Sequence, residues 1–173
     1  MSLHEQCVGA TNEWYTPAHV FEAMRVVFDL DVAAPKEPIS IPAYRWVNKI
    51  CVSGSLESDW SGFVWMNPPF GGRNGIVPWL DKFFRHGNGV ALTPDRTSAP
   101  WWQEYASKAD TILFTRGKLK FIGADGLPGT SPAQGTSLMA AGDRGVKALE
   151  NAVANGLGLM LAPPMTAPKI RTA

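Results

Sequence analysis

The sequence predicts an α/β domain with a mainly parallel sheet and helices on its faces. In the middle of the chain, short apolar runs typical of buried strands alternate with segments whose apolar residues repeat at helical spacing. The length of 173 residues suits a single domain, residues 1–173, with a core over about residues 10–160 and mobile ends. A hydrophobic fraction of 45% with 18% charged residues is typical of a folded chain.

The composition also argues against several classes of protein. No apolar run approaches the roughly 18 residues of a membrane-spanning helix, and residues 1–10 lack the pattern of a signal peptide. Cys7 and Cys51 are far apart, which argues against a disulfide scaffold or a zinc site. The histidines show no metal-ligand spacing. We therefore expect a cytoplasmic protein with no membrane partner and no metal.

The two halves of the chain differ in charge. Residues 1–67 carry four basic and eight acidic side chains, and residues 68–173 carry twelve basic and seven acidic ones, so the halves net −4 and +5. A basic half suits a polyanion bound on one face, and ordinary scatter of charge is the alternative interpretation.

The first helix is predicted after Thr16, which suits an N-cap, and Pro17, which suits the first turn. Apolar side chains then repeat as on a buried helix face: Val20, Phe21, Met24, Val27 and Phe28. The apolar run of residues 28–33 predicts a strand that ends at Asp31. Residues 35–58 show no clear period, so no element is predicted there.

The middle of the chain predicts two strand–helix pairs. The run of residues 63–66 predicts a strand that is ended by two prolines and two glycines, and residues 76–86 predict a helix. Residues 89–93 predict a buried strand, and Ser98 suits the cap of a helix that carries Trp101, Trp102 and Tyr105. Adjacent helical residues point about 100° apart, so one of the two tryptophans is expected in the core.

The last part of the chain predicts strands over residues 111–115, 118–122 and 136–141, a Gly/Pro-rich loop over 123–135, and a helix over 145–154. Ligands bind beyond the carboxyl ends of the strands in parallel sheets. One rim of the sheet is therefore expected to hold Asp31, Asn67 to Phe70, and Thr93 to Arg96.

The motif Asn67-Pro68-Pro69-Phe70, at a predicted strand end, has the clearest chemistry. Each proline fixes its φ near about −65° and removes an N–H donor, so the loop is stiff and presents its carbonyls. The Asn67 side-chain oxygen and the Pro68 carbonyl can each accept a hydrogen from a planar –NH2 group, while Phe70 stacks on the ring that carries it. These contacts make the nitrogen a better nucleophile. A proline-rich turn without chemistry is the alternative interpretation.

Further segments occur in a fixed order around this motif. They are Asn12 to Pro17, Phe28 to Asp31, Asp59-Trp60, Val64 to Gly71, Thr93 to Thr97, Trp101-Trp102, Arg116 to Phe121, Pro132 and Ser137-Leu138. In this order and spacing, most of residues 10–142 resembles the phage-type DNA N6-adenine methyltransferases, small enzymes that depend on S-adenosylmethionine.

The resemblance implies a three-layer Rossmann-like methyltransferase fold, with a mainly parallel sheet and a terminal antiparallel hairpin. It implies a site-specific enzyme that transfers a methyl group from S-adenosylmethionine to N6 of an adenine flipped out of double-stranded DNA. If the gene belongs to a phage or prophage, the enzyme is expected in the cytoplasm of a bacterial host.

The resemblance also assigns roles to individual residues. Target adenine binding and catalysis fall to Asn67, Pro68, Pro69 and Phe70. Cofactor binding falls to Tyr15, Thr16, Pro17, Asp31, Asp59 and Asn67. We expect DNA phosphates to contact Arg96, Arg116, Lys118 and Lys120, since Lys118 and Lys120 share one face of a predicted strand. A solvated basic face is the alternative interpretation.

One departure from the family keeps other functions open. The Phe-x-Gly-x-Gly loop of many methyltransferases is absent, and Asp31-Val32-Ala33-Ala34-Pro35 stands in its place. An inactive DNA-binding relative is therefore an alternative. So is an enzyme of the same fold that methylates RNA adenine or a protein glutamine amide, since both substrates present a planar –NH2 group.

Overall fold

A computed structural model describes residues 14–34, 41–48, 52–70, 75–123, 125–130 and 132–161. The strands are β1 (Trp14–Tyr15), β2 (Leu30–Ala34), β3 (Trp46–Asn48), β4 (Val64–Met66), β5 (Gly89–Pro94), β6 (Thr111–Thr115), β7 (Ile122–Gly123), β8 (Thr136–Ala141) and β9 (Gly158–Leu161). The helices are α1 (Ala18–Met24), α2 (Val52–Glu57), α3 (Val77–His86), α4 (Pro100–Ala106) and α5 (Asp143–Ala154). Predictions about both cysteines, Gly71-Gly72 and the mobile ends lie outside the described residues.

The central sheet has seven strands in the order β3-β2-β4-β5-β8-β6-β9. The first four strands are parallel to one another, whereas β8 is antiparallel to both β5 and β6, and β9 is antiparallel to β6. The sheet is therefore mixed, and the expectation of a mainly parallel sheet with one terminal antiparallel hairpin is corrected. The reason is that β8 inserts between β5 and β6, and β9, which the sequence did not predict, adds a further antiparallel strand at the edge.

Helices cover both faces of the sheet, so the fold has three layers. Successive strand residues point to opposite faces. In β4, Val64 and Met66 pack in the cluster that contains α3 and α4, whereas Phe63, just before β4, and Trp65 pack in the cluster that contains α1 and α5. The predicted α/β class with helices on both faces is confirmed.

Most of the strongly patterned segments form the predicted elements: α1, α3, α4 and α5 are helices, and β4, β5, β6 and β8 are strands. The predicted caps are wrong, because the N-cap of α1 is Pro17 and that of α4 is Ala99, with no side-chain hydrogen bond at either cap. Both Trp101 and Trp102 are buried, at 6% exposure each, rather than one of the two. Sheet residues and α3 enclose enough of the short helix α4 to bury both rings.

Several strands differ from the prediction, and β3 and β9 were not predicted at all. The strand predicted to end at Asp31 continues to Ala34. Residues 118–121 form no strand, and only the two-residue β7 follows them. β7 pairs with β1 in a separate two-stranded sheet, which the sequence did not predict.

The directions of the strands decide which loops meet. Strands β2, β4, β5 and β6 run the same way, so their C-terminal ends lie along one edge of the sheet, which we call the carboxyl edge. Residues 116–135 leave the sheet at the end of β6 and return at the start of β8, which runs the opposite way. The described residues of this segment therefore lie at the carboxyl edge, as does Asn67 after β4.

Candidate active site

Asn67 follows β4 directly, and its side chain is held by Thr16. The amide nitrogen Nδ2 of Asn67 donates a hydrogen bond of 3.1 Å to Oγ1 of Thr16, which is fully buried. Among the described residues, no donor contacts Oδ1 of Asn67. The contact therefore fixes the orientation of the amide and leaves its oxygen available to accept a hydrogen bond from a ligand.

Thr16 is positioned by the elements on both sides of it. Before it, Tyr15 of β1 pairs with Ile122 of β7 and is only 4% exposed. After it, Pro17 adopts φ −64° and is the N-cap of α1. A fixed φ suits proline to this position, so the chain enters the helix directly from the strand and Thr16 has little freedom to move.

The rest of the motif rests on the hydrophobic core. Pro68 is buried, and Phe70 is half-buried and packs against both hydrophobic clusters of the protein. Pro69 is exposed. Because the two prolines fix their φ angles and Phe70 is held by the core, the loop after β4 is stiff.

Asp31 lies inside β2 and not at its end. Its carboxylate is buried, and Oδ1 accepts a hydrogen bond of 3.0 Å from the N–H of Ala33. Asp31 is paired with Trp65 of β4, so its side chain lies on the face of the sheet that α1 and α5 cover. Asp31 thus lies on the strand next to β4, and β4 leads to Asn67.

Asp59 is not brought together with Asn67. It is exposed and lies in the segment that enters β4, whereas Asn67 leaves β4 at the other end. Lys82 of α3 organises this segment by donating hydrogen bonds to the carbonyls of Leu56, at 2.7 Å, and Ser58. Burial lowers the pKa of Lys82, and the nearby negative charge of Asp59 opposes that shift.

Two of the four predicted DNA-contacting residues are hydrogen-bonded to the segment 132–135, and Asp95 holds the same segment. Nε of Arg96 donates to Oε1 of Gln134 at 2.8 Å, and Nζ of Lys118 donates to the carbonyl of Ala133 at 3.0 Å. The N–H of Asp95 donates to the carbonyl of Gly135 at 2.9 Å. These contacts fix the segment against the carboxyl edge of the sheet.

The other two predicted DNA-contacting residues, Arg116 and Lys120, are exposed. Arg116 lines a cleft of about 380 Å³ together with His19 and Glu22. Lys118 and Lys120 flank the buried Leu119, but they lie outside any strand, so the predicted shared strand face is corrected.

Sequence reasoning assigned no role to two of the polar groups at this edge. Oδ1 of Asp95 is buried and has no hydrogen-bond partner among the described residues. Gln134 is the partner of Arg96. Asp95 was placed on the rim by its position after a strand, but no pattern in the sequence indicated that its carboxylate is buried.

Within the described ranges, no group of three or more His, Cys, Asp or Glu side chains could hold a metal ion. In the same part of the chain, no helix combines the length and hydropathy needed to cross a bilayer.

Comparison with known protein families identifies the class of protein. Residues 6–141 match the model of the family described as DNA N-6-adenine-methyltransferase (Dam). The match covers most of the chain, so the chain belongs to this family, whose activity is methylation of adenine in DNA at N6. The resemblance drawn from the sequence is thereby confirmed. No curated protein and no solved structure matches the chain.

Proposed function

We propose that this protein, as one domain over residues 1–173, transfers a methyl group from S-adenosylmethionine to N6 of an adenine flipped out of double-stranded DNA at specific sites. The observation that carries the proposal is the hydrogen bond from Asn67 Nδ2 to Thr16. With Nδ2 bound to Thr16, the amide oxygen is left as the acceptor at a stiff strand end, and the chain belongs to an adenine methyltransferase family. Encoded by a phage or prophage, the enzyme would act in the cytoplasm of a bacterial host.

The motif after β4 suits the target amine. Oδ1 of Asn67 accepts one hydrogen of the adenine –NH2 group and the carbonyl of Pro68 accepts the other. The two contacts raise the electron density available at the nitrogen and fix the orientation of the –NH2 group. Phe70 stacks on the purine ring. No strong base is required, because the nitrogen loses its proton only after it has formed the new bond to carbon.

A buried carboxylate on the strand next to β4, Asp31, supports a positively charged cofactor. When bound, S-adenosylmethionine supplies a methyl group on a sulfonium, which is open to attack by the amine. Tyr15, Thr16 and Pro17 would hold it, with Asn67 at the boundary between the two ligands. Asp31 is a buried carboxylate, and a cation in its vicinity offsets the cost of burying that charge. Asp59, at the other end of β4, gains no support from this arrangement.

The position of the basic residues supports duplex DNA as the substrate. An adenine inside a duplex must leave the stack before its N6 can enter an active site. Arg96, Arg116, Lys118 and Lys120 follow strands that end at the carboxyl edge, as Asn67 does. DNA phosphates at this edge would compete with the present partners of Arg96 and Lys118.

The proposal is tested by substrate and by variant. Wild-type protein, Asn67→Ala and Asn88→Ala are each incubated with labelled S-adenosylmethionine and unmethylated duplex DNA, RNA or protein extract, and the labelled product is identified by mass spectrometry. Asn88 is the matched control, because its Nδ2 also donates one hydrogen bond, 3.0 Å to the Gly62 carbonyl, but just before β5 at the opposite edge of the sheet.

We expect N6-methyladenine in DNA with wild-type protein and Asn88→Ala. Asn67→Ala should lose about 10²–10³-fold in single-turnover rate, because one preorganised contact to the reacting group is gone, and should still bind the cofactor. Label in RNA or protein instead of DNA, or an Asn67→Ala rate above about a tenth of wild type, would overturn the proposal.

A further inference from the structure

The loop of residues 125–130 presents a leucine to solvent on a fixed backbone. Leu127 is 64% exposed, yet its N–H donates to Oδ1 of Asp125 at 3.0 Å and its carbonyl accepts from the N–H of Gly123 at 2.9 Å. Gly126 adopts φ +77°, a conformation that favours glycine, and its N–H donates to the carbonyl of Gly123 at 2.9 Å. The backbone that carries the exposed side chain is therefore held in one conformation.

This loop is joined to the catalytic end of the protein. It follows β7, which pairs with β1, and the residue after β1 is Thr16, the partner of Asn67. A β-carbon at Gly129 would clash with the ring of Trp14, so the loop packs directly on β1. Through these contacts, the position of Leu127 is tied to that of Asn67.

Basic side chains precede the loop in the same segment of the carboxyl edge. Lys118 and Lys120 are exposed. Phosphates of a duplex bound there would bring the base stack towards the loop. The loop itself places an apolar side chain, and no positive charge, at its exposed turn.

We propose that Leu127 enters the DNA helix as a wedge that fills the space left by the flipped adenine; this inference rests on the proposed function. Extrusion of a base leaves a gap in the stack and costs the contacts of its neighbours. Leucine is among the apolar residues that proteins insert between base steps. A side chain on a fixed backbone loses little freedom on insertion, so the contacts that it gains favour the flipped state.

Two other exposed leucines of the described residues lie in β9, which is the outermost strand of the sheet and four places from β4. Leu159 there is also 64% exposed. Leu159→Ala is therefore the matched control, because it removes the same atoms at the same exposure away from Asn67.

The experiment compares two duplexes that contain the methylation site, which is first identified by sequencing plasmid DNA from cells that express the protein. In one duplex the target adenine is paired with thymine, and in the other an abasic site replaces that thymine. Single-turnover methylation is measured for the wild type, Leu127→Ala, Leu127→Ile and Leu159→Ala. Fluorescence of 2-aminopurine at the target position reports the flipped state independently of methylation.

We expect Leu127→Ala to slow methylation of the paired duplex by about tenfold and to reduce the fluorescence gain on binding. On the abasic duplex its rate should return to within about threefold of wild type, because an unpaired base costs less to extrude. Leu127→Ile and Leu159→Ala should behave as wild type on both duplexes.

A rate for Leu127→Ala equal to that of Leu159→Ala on the paired duplex, or equal losses on both duplexes, would overturn the wedge while the proposed function stands. Absence of methylation by the wild-type protein on either duplex would instead overturn the proposed function itself.

Discussion

At the scale of single residues, the site depends on one hydrogen bond between side chains that are far apart in the sequence. Asn67 and Thr16 are separated by 51 positions, and the bond between them decides which end of the Asn67 amide faces a ligand. An asparagine without this partner could present either its oxygen or its –NH2 group. Only the oxygen accepts a hydrogen from an amine, so the proposed function makes Thr16 a positioning residue for Asn67.

Thr16→Val tests this role with little change in shape. The variant keeps the branched side chain and loses the acceptor for Asn67 Nδ2, so we expect kcat to fall about tenfold as the amide loses its fixed orientation. Thr16→Ser keeps the hydroxyl and should retain most of the activity. The KM for DNA should change little in both variants, because Thr16 is fully buried.

Steady-state kinetics of these two variants test the role of the Thr16 hydroxyl. Thermal unfolding checks that both variants fold. Equal activity of the Val and Ser variants would contradict the role of the hydroxyl.

At the scale of elements, a carboxylate connects α5 to the sheet at the edge opposite the carboxyl edge. Oδ2 of Asp29, just before β2, accepts a hydrogen bond of 2.6 Å from the N–H of Phe63 and one of 2.9 Å from Nη1 of Arg144 in α5. The guanidinium of Arg144 lies 4.5 Å from the centre of the Phe63 ring. Gly62, at φ +78°, allows the close approach, since a β-carbon there would clash with Asp29.

This contact makes stability depend on pH in a defined direction. The N–H of Phe63, together with Arg144, holds the pKa of Asp29 below its ordinary value, against an opposing effect of burial. A native pKa below the unfolded one adds stability at pH values above the unfolded pKa, and this contribution is lost as the pH falls through the native pKa. Asp29→Asn should therefore lower Tm at pH 7, and the difference from wild type should be smaller at about pH 2, below the unfolded pKa of an aspartate.

Thermal unfolding of the wild type and Asp29→Asn between these two pH values measures the difference. Glu150→Gln, an exposed carboxylate on α5, is the control and should change Tm little at either pH. A Tm difference for Asp29→Asn that is the same at both ends of the range would contradict the assignment.

At the scale of the whole molecule, the carboxyl edge collects most of the groups that the proposed function uses, and the segment 116–135 supplies much of its charge. Lys118 is bonded to Ala133 and Lys120 is exposed, so both are placed to meet phosphates without belonging to a strand. Contacts of this kind strengthen binding to every sequence alike and release counterions from DNA.

Replacing Lys118 and Lys120 together with Ala should weaken binding to all duplexes by a similar factor. The slope of log K against log salt should flatten by up to about 2, since each phosphate contact contributes about 0.9 on duplex DNA. Fluorescence anisotropy at several salt concentrations measures the slope, and Lys108→Ala with Lys147→Ala, two exposed lysines on or near other helices, is the control. An unchanged slope with lost discrimination between sequences would contradict phosphate contact.

The sequence predicted those elements whose buried residues show a regular apolar pattern within the element itself. Strands β4, β5 and β8 are buried at every position, which is why each reads as a continuous apolar or small-residue run. Helix α3 buries Trp79, Leu80 and Phe83 on one face and shows that spacing in the sequence. The position of Asn67 to Phe70 directly after a strand was also predictable, because the two prolines end the strand locally.

The rest depended on partners that no local pattern reveals. Strands β1, β3 and β7 have two or three residues each and exist only through pairing with another part of the chain. The insertion of β8 between β5 and β6 concerns the order of strands in the sheet, and this order cannot be predicted from the positions of the strands in the sequence. The bond between Asn67 and Thr16 joins side chains 51 positions apart, so its role in fixing the amide could not be predicted from either segment alone.

The pairing of Tyr15 with Ile122 also sets the time at which the site can assemble during synthesis. Thr16 leaves the ribosome early, but the strand that fixes it arrives only when residue 122 has been added. At about 5–20 residues per second, that interval is roughly 5–20 s. A nascent chain released before this point has the Asn-Pro-Pro-Phe loop without the pairing that fixes its partner. The closing of this long-range contact, which has the entropy cost of a large loop, is thus a late step of folding, and competence to methylate appears only after it.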